Sequence, residues 1–247
     1  MSDEILEHDH EGEQHQRHMV HRHRDVTGGT VRAAVFGVSD GLVSNVALIL
    51  GVAAAASDRS NVLVAGVAGL LAGAASMAAG EYVSMKAQSE LVERELAIER
   101  RSLKAQPAAE TRELAAIYRR RGLDADRAME MAEAVMVDPE VALEVHAREE
   151  LGVNPSDTGN PVAAALSSFV AFAIGAIIPL FPWFFVEGNA AIITSAILGL
   201  VAAAAVGVTL ARFTERSAFR TAARQVSWAV GACTVTWLIG SWLGAVI

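Results

Sequence analysis

Hydrophobic residues run along this chain in long unbroken stretches, without the short alternation of a half-buried strand. Five stretches are long and apolar enough to cross a bilayer: 31–56, 62–84, 162–182, 190–211 and 226–247. About 20 mostly apolar residues suffice, since a helix rises about 1.5 Å per residue and the hydrocarbon core is about 30 Å thick. From 161 to 211 the one charged residue is Glu187, and from 225 onward there is none. A soluble core helix does not need such purity. A bilayer does, because a charge at its centre costs about 3 kcal/mol or more. The pattern predicts an all-α membrane protein with five transmembrane helices and a polar helical insert between the second and third.

That insert, 86–160, carries its own helix signals. No Pro or Gly follows Gly80 up to Lys104, so the second span is expected to continue out of the membrane as one long helix. Pro107 opens the next helix, which stops near Arg121-Gly122; Asp124 caps another, and Asp138-Pro139 a fourth that ends near Leu151-Gly152. Four parts result: an arm at 1–30, spans one and two at 31–85, the insert at 86–160, and spans three to five at 161–247.

Basic residues set an expected orientation. Arg17, Arg22, Arg24 and Arg32 precede span one, the insert holds 11 Lys and Arg, and Arg212, Arg216, Arg220 and Arg224 follow span four. The opposite loops hold only Arg59, beside Asp58, and Glu187. The arm and insert are therefore expected in the cytoplasm and the C-terminus outside. The formal net charge of −8 argues against a nucleic-acid partner. One cysteine, Cys233, excludes a disulfide framework and any Cys-based zinc site. Gly37/Gly41, Gly69/Gly73 and Gly240/Gly244 recur at the four-residue spacing that lets helices approach closely, although glycine-rich spans also produce it by chance.

Three groups of residues carry candidate chemistry. Asp40 lies eight residues past Arg32 in span one and Met77 nine before Lys86 in span two, so both are about 12–14 Å from the cytoplasmic charged boundary at similar depth; Glu81 lies one turn nearer the cytoplasm on the Met77 face. A carboxylate inside a span is a functional candidate. Taken out of water, it is neutralised by a cation or a proton, so Asp40 could exchange one for the other. Thioether sulfur suits a transition metal better than Mg2+ or Ca2+. The bland alternatives are a structural hydrogen bond from Ser39, Ser44 or Asn45 to Asp40, and plain packing for Met77. The insert's acids fall at helical neighbour spacing, among them Glu95/Glu99, Glu110/Glu113, Glu130/Glu133, Glu140/Glu144 and His146/Glu150. Such faces turned together would hold divalent cations; turned outward they would merely be solvated. Six of seven histidines lie in the arm, as a weak metal collector or an incidental tail.

Phe36-Gly-Val-Ser-Asp-Gly-Leu-Val-Ser-Asn-Val-Ala-Leu-Ile-Leu-Gly51 and Ala68-Gly-Leu-Leu-Ala-Gly-Ala-Ala-Ser-Met-Ala-Ala-Gly-Glu-Tyr-Val-Ser84 resemble the first- and second-span signatures of the vacuolar iron transporter family. Arg148-Glu-Glu-Leu-Gly152, Pro161 and the segments 164–169 and 175–179 are similar to its third-span entry. The resemblance implies a bacterial-type member: a homodimer that exports Fe2+, and Mn2+ as a second cargo, from the cytosol in exchange for protons. It implies a path between subunits lined by spans one and two, with Asp40 and Met77 at the family's intramembrane positions. It implies metal ligands at Glu99, Glu110, Glu113 and Glu150, with His146 replacing a family Met and Ser102 a family glutamate.

The expected partners are Fe2+, other divalent metals such as Mn2+, Co2+ and Zn2+, protons, lipid and a second copy. No other cofactor and no enzyme activity are expected. A bacterial inner membrane is the expected location. Two competing readings remain: a Mn2+-preferring exporter of the same fold, and a membrane-anchored metal buffer or sensor without transport.

Overall fold

The computed structural model describes residues 29–55, 58–155 and 159–246. The His-rich arm therefore lies outside the described residues, apart from its last two positions. Among the described residues there is no strand. The helices are α1 (Gly29–Ala55), α2 (Arg59–Ala105), α3 (Pro107–Arg120), α4 (Ala125–Met136), α5 (Pro139–His146), α6 (Pro161–Leu180), α7 (Gly188–Thr214) and α8 (Ala218–Val246). A π-helical turn, Ala147–Leu151, continues α5, and a 3-10 turn, Phe181–Phe184, follows α6. Five helices, α1, α2, α6, α7 and α8, are long and apolar enough to cross a membrane.

The starts of α4 and α5 are built by the expected residues. The Asp124 side chain accepts from the Arg127 N–H, and Asp138 accepts from Glu140 and Val141 with Pro139 in the first turn. Asn160 accepts from the Ala163 N–H and Pro161 opens α6. Gly152 ends the π-helical turn at φ 66°, a left-handed conformation that glycine adopts without strain. α2 does run unbroken from the second span into the insert. Its 47 residues extend about 70 Å, more than twice the hydrocarbon thickness. α8 starts well before the apolar run at 226 and carries Arg220 and Arg224 in its first two turns.

Packing is organised around α1 and α6. α1 lies between α6 and α8, α6 also covers α2, and α7 packs on α8. Backbones come close where glycines occur. A Cβ on Gly41 would strike the Phe172 backbone of α6, and one on Gly240 or Gly244 would strike the Gly51 or Ala55 backbone of α1. The glycines of α2 differ: at Gly69 and Gly73 a Cβ would meet the Leu48 and Phe172 side chains. At one end of the bundle Arg59 donates to the carbonyls of Trp183 (2.8 Å) and Phe184 (2.5 Å), tying the start of α2 to the end of α6. Trp183 is fully buried there with Ile49, Val62 and Leu180. At the other end Ser167 of α6 donates to the Thr30 carbonyl of α1.

Large apolar side chains cover the outside of these helices, including Ile193, Ile197, Val201, Leu238 and Trp242. Such a surface would be an aggregation site in water. In lipid it is the solvated face.

Gly41→Ala should destabilise the protein by about 1–3 kcal/mol, because the added methyl can be admitted only by separating α1 from α6. Gly231→Ala is the control, since nothing lies within 4 Å of that Cβ. Thermal unfolding in detergent should show a lower midpoint for the first variant and not for the second.

Candidate functional site

Two sites emerge, one in the spanning helices and one in the insert, joined by α2. The first is a groove of about 320 Å3 between α1 and α2. Asp40, Ser44 and Asn45 line it from α1, Met77 and two glycines, Gly69 and Gly73, from α2. Phe172 of α6 also lines it. Asp40 and Met77 thus share one cavity, as their depths along the two helices suggested.

The surroundings of Asp40 differ from a buried carboxylate. Within one chain Asp40 is exposed at the rim of the groove. The suggested structural partners are engaged elsewhere. Ser44 donates to the Asp40 backbone carbonyl at 2.6 Å, an ordinary bond to the preceding turn. Ser39 accepts from Gln225 of α8, and Asn45 donates to the Ala176 carbonyl of α6 at 2.7 Å. None of the three bonds the Asp40 carboxylate. Met77 is half-buried: it lines the groove and also packs against the cluster of Ala74, Phe172 and Ala176. Glu81 is paired with Arg32 of α1 at 3.0 Å, an interaction absent from the sequence reading. The Arg32 side chain is 70% exposed, so the pair adds no more than about 1 kcal/mol of stability.

The second site lies where α2, α3 and the α5 turn meet. One ligand atom each from Glu99, Glu110, His146 and Glu150 lies within 4.8 Å of the others. A small core of Leu114, Ala115, Tyr118, Ala128 and Ala132 joins α3 to α4. The Arg121–Glu149 ion pair links the end of α3 to the π-helical turn. His146 is completely buried. Its Nδ1 stands 2.9 Å from Glu150 Oε1, 3.2 Å from Glu99 Oε1 and 4.0 Å from Glu110 Oε2.

One imidazole nitrogen carries at most one proton, so it cannot satisfy three carboxylates. Among the described residues no Lys or Arg pairs with Glu99, Glu110 or Glu150, whereas Glu140 has Arg100 and Glu144 has Arg148. The Glu99 carboxyl is raised above its ordinary range, first by burial and then by the Glu150 charge, with His146 opposing and Glu110 and Glu113 adding. Glu150 is raised by burial too, with His146 pulling down and Glu113 and Glu110 pushing up. Three oxygens and a nitrogen in one negative pocket fit a divalent first-row metal.

Glu113 is exposed and outside this quartet, but its charge is felt by both raised carboxyls. Ser102 is half-buried on α2, and its carbonyl accepts the Gln106 N–H that ends that helix. Glu130 and Glu133 stay exposed on α4. The residues missed in the sequence are Arg32 and Glu149 as ion-pair partners and Asn45 as a groove wall. A second polar residue five positions after Asp40 was the available signal for Asn45.

Fold and side chains define the class: a multi-pass α-helical membrane protein with carboxylates clustered in its insert and a groove lined by Asp40 and Met77 between its spanning helices. The chain belongs to the VIT family, whose profile matches residues 31–241. It is 31% identical to vacuolar iron transporter 1 of Eucalyptus grandis over 85% of this chain and 86% of that one. It is 33% identical to vacuolar iron transporter 1 of Oryza sativa subsp. japonica over 83% and 82%. It is 40% identical to the vacuolar iron transporter of Acanthamoeba castellanii over 62% of this chain, spanning about half (55%) of that longer protein. These relatives come from plants and an amoeba, and lend no support to the expected bacterial type.

A carboxyl raised on folding favours the folded state below its unfolded pKa, and that contribution is lost as pH rises through the raised value. Metal-free protein should therefore melt lower as pH rises from the ordinary glutamate range toward neutrality. Mn2+ should reverse the trend, because bound metal replaces the protons. Glu99→Gln/Glu150→Gln should flatten both effects. Melting curves of the full chain across pH, with Mn2+ or with chelator, test this; an unchanged pH profile in the double variant would contradict it.

Proposed function

We propose that the protein exports Fe2+ from the cytosol in exchange for protons, with Mn2+ as a second cargo. The observation that carries this is the placement of donors along α2. Met77 faces Asp40 across the groove, Glu81 lies one turn along, and Glu99 enters the acidic quartet. Met77 and Glu99 are 22 residues apart on one unbroken helix, about 33 Å. Curated relatives named as vacuolar iron transporters support iron as the cargo.

The steps follow from the donor chemistry. The quartet of Glu99, Glu110, His146 and Glu150 gathers ions from the cytosol, with Glu113 adding negative charge. Glu81 receives the ion at the groove mouth, displacing Arg32. Asp40 and Met77 then hold it with water largely removed, the sulfur favouring Fe2+ over Mg2+ or Ca2+. A proton replaces the metal on Asp40 when the ion leaves. No bond of a substrate is made or broken, so the protein is not an enzyme in this scheme.

Asp40 is exposed in one chain, so the path needs a second wall. A second copy packed on α2 would supply it. Ala68, Ala72, Ala75 and Ala79 form an exposed small-residue face that permits close approach. The Lys and Arg bias supports a cytoplasmic insert and a cytoplasmic start of α1. A bacterial inner membrane remains the proposed location, with a vacuole-type membrane as the alternative that the relatives' names suggest. A buffer or sensor without transport is the second reading, because the quartet could bind metal without the groove.

In proteoliposomes, Asp40→Asn should reduce Fe2+ flux at least about a hundredfold, as removal of a charge-bearing ligand in the path requires. Met77→Leu should lower the preference for Fe2+ over Mn2+, Co2+ and Zn2+ with little change in folding. Flux should follow an imposed pH gradient. Metal binding with no flux would favour the buffer.

A further inference from the structure

Asp40 and Met77 together offer a cation one charged oxygen and one sulfur. A largely dehydrated first-row ion takes at least four ligands. We propose that the side-chain oxygen of Asn45 is a further ligand in the groove, taking the divalent cation beside Asp40 and Met77. This rests on the reading of the groove as the ion path.

Asn45 is 2% exposed. Its Nδ2 donates to the Ala176 carbonyl of α6 at 2.7 Å. A carbonyl can only accept, so that bond decides which way the amide faces. Oδ1 is turned away from α6, is buried, and has no hydrogen-bond partner in the structure. A buried acceptor left unpaired is destabilising, and in a native protein it needs a reason. Asn45 lines the same groove as Asp40, Ser44 and Met77.

The wall opposite Oδ1 is Gly69 of α2. A Cβ there would stand 3.2 Å from Asn45 Oδ1 and press on the end of the Leu48 side chain. Glycine at this position therefore keeps a methyl group from pressing on Oδ1.

The chemistry suits a path better than a trap. An amide oxygen is a neutral donor that accepts a hard or borderline cation. It adds a ligand without adding charge, so one carboxylate still sets the net charge of the site. Binding that must also release needs such moderation. A second carboxylate at 45 would hold the ion more tightly and slow its departure.

Three variants separate this role from a structural one, each measured as Fe2+ and Mn2+ flux in proteoliposomes beside Asp40→Asn. Gly69→Ala covers Oδ1 while leaving the bond to Ala176 in place. Asn45→Leu removes both. Asn45→Asp keeps the oxygen and adds a charge but, like Asn45→Leu, loses the bond to Ala176. Gly69→Ala and Asn45→Leu are expected to raise KM for Fe2+ by about tenfold, the scale of losing one ligand-shell partner. Gly69→Ala should do so without a lower melting temperature. Asn45→Asp should lower both KM and maximal rate.

If Asp40→Asn abolishes flux while Gly69→Ala leaves KM unchanged, Asn45 is a packing residue and the proposal fails, though the groove remains the path. If Asn45→Asp behaves like Asn45→Leu, the oxygen is irrelevant and the proposal fails in the same way. If Asp40→Asn itself transports normally, the groove is not the path and both ideas fall.

Discussion

Contact between helix backbones is the constraint on which the rest of this structure depends. α1 touches α6 through Gly41 and α8 through Gly240 and Gly244, so two sides of it are occupied by neighbouring main chain. Little rotation is then available to α1. Asp40 and Ser44 line the groove on the side that remains, toward α2. Ser39 and Asn45 are held from α8 and α6 by Gln225 and the Ala176 carbonyl. Asp40 sits between these two anchors, and its side chain is free for other chemistry. Glycines that look like simple membrane packing thus settle where the carboxylate points.

α2 has the opposite character. Only a narrow face of its spanning part is covered, and Phe172 and Leu48 fill the notches at its glycines. Its rigidity comes from continuity. One helix carries donors at the level of the bundle and donors in the insert, and no hinge residue interrupts it after Gly80. The acidic quartet takes Glu99 from this helix and its other members from α3 and the α5 turn. A metal bound there would tie the insert to α2; without it, protonation relieves the repulsion among the same carboxylates, and deprotonation loosens the junction.

Electrostatic contrast distinguishes the clustered acids of the insert from the solvated ones. Glu140 and Glu144 each have an arginine partner at the surface. Glu99, Glu110 and Glu150 share one buried imidazole that cannot serve them all. The local negative charge is held in place by the hydrophobic core of α3 and α4 and by the Arg121–Glu149 pair, away from the carboxylates that would take the cation. In the spanning part the same logic applies with fewer groups: one carboxylate, one thioether and one amide oxygen without a partner.

Much of the architecture was legible in the chain. Uninterrupted apolar runs and the near-absence of charge required spanning helices, because a bilayer admits little else. Asp124 and the Asp138-Pro139 pair marked helix starts by local hydrogen bonding, which needs no distant partner. The depths of Asp40 and Met77 followed from helical rise alone. Rotation about each helix axis did not. It is decided by which side chains and backbones interlock across the bundle: the helical spacing of the acids could not tell Glu99 and Glu150 from Glu130 and Glu133, a family resemblance pointed to the first pair, and the tertiary structure brought them together, set Arg32 against Glu81, exposed Asp40 at the rim, and turned the Asn45 oxygen away from α6. Position along a helix is a property of sequence, whereas facing is a property of neighbours.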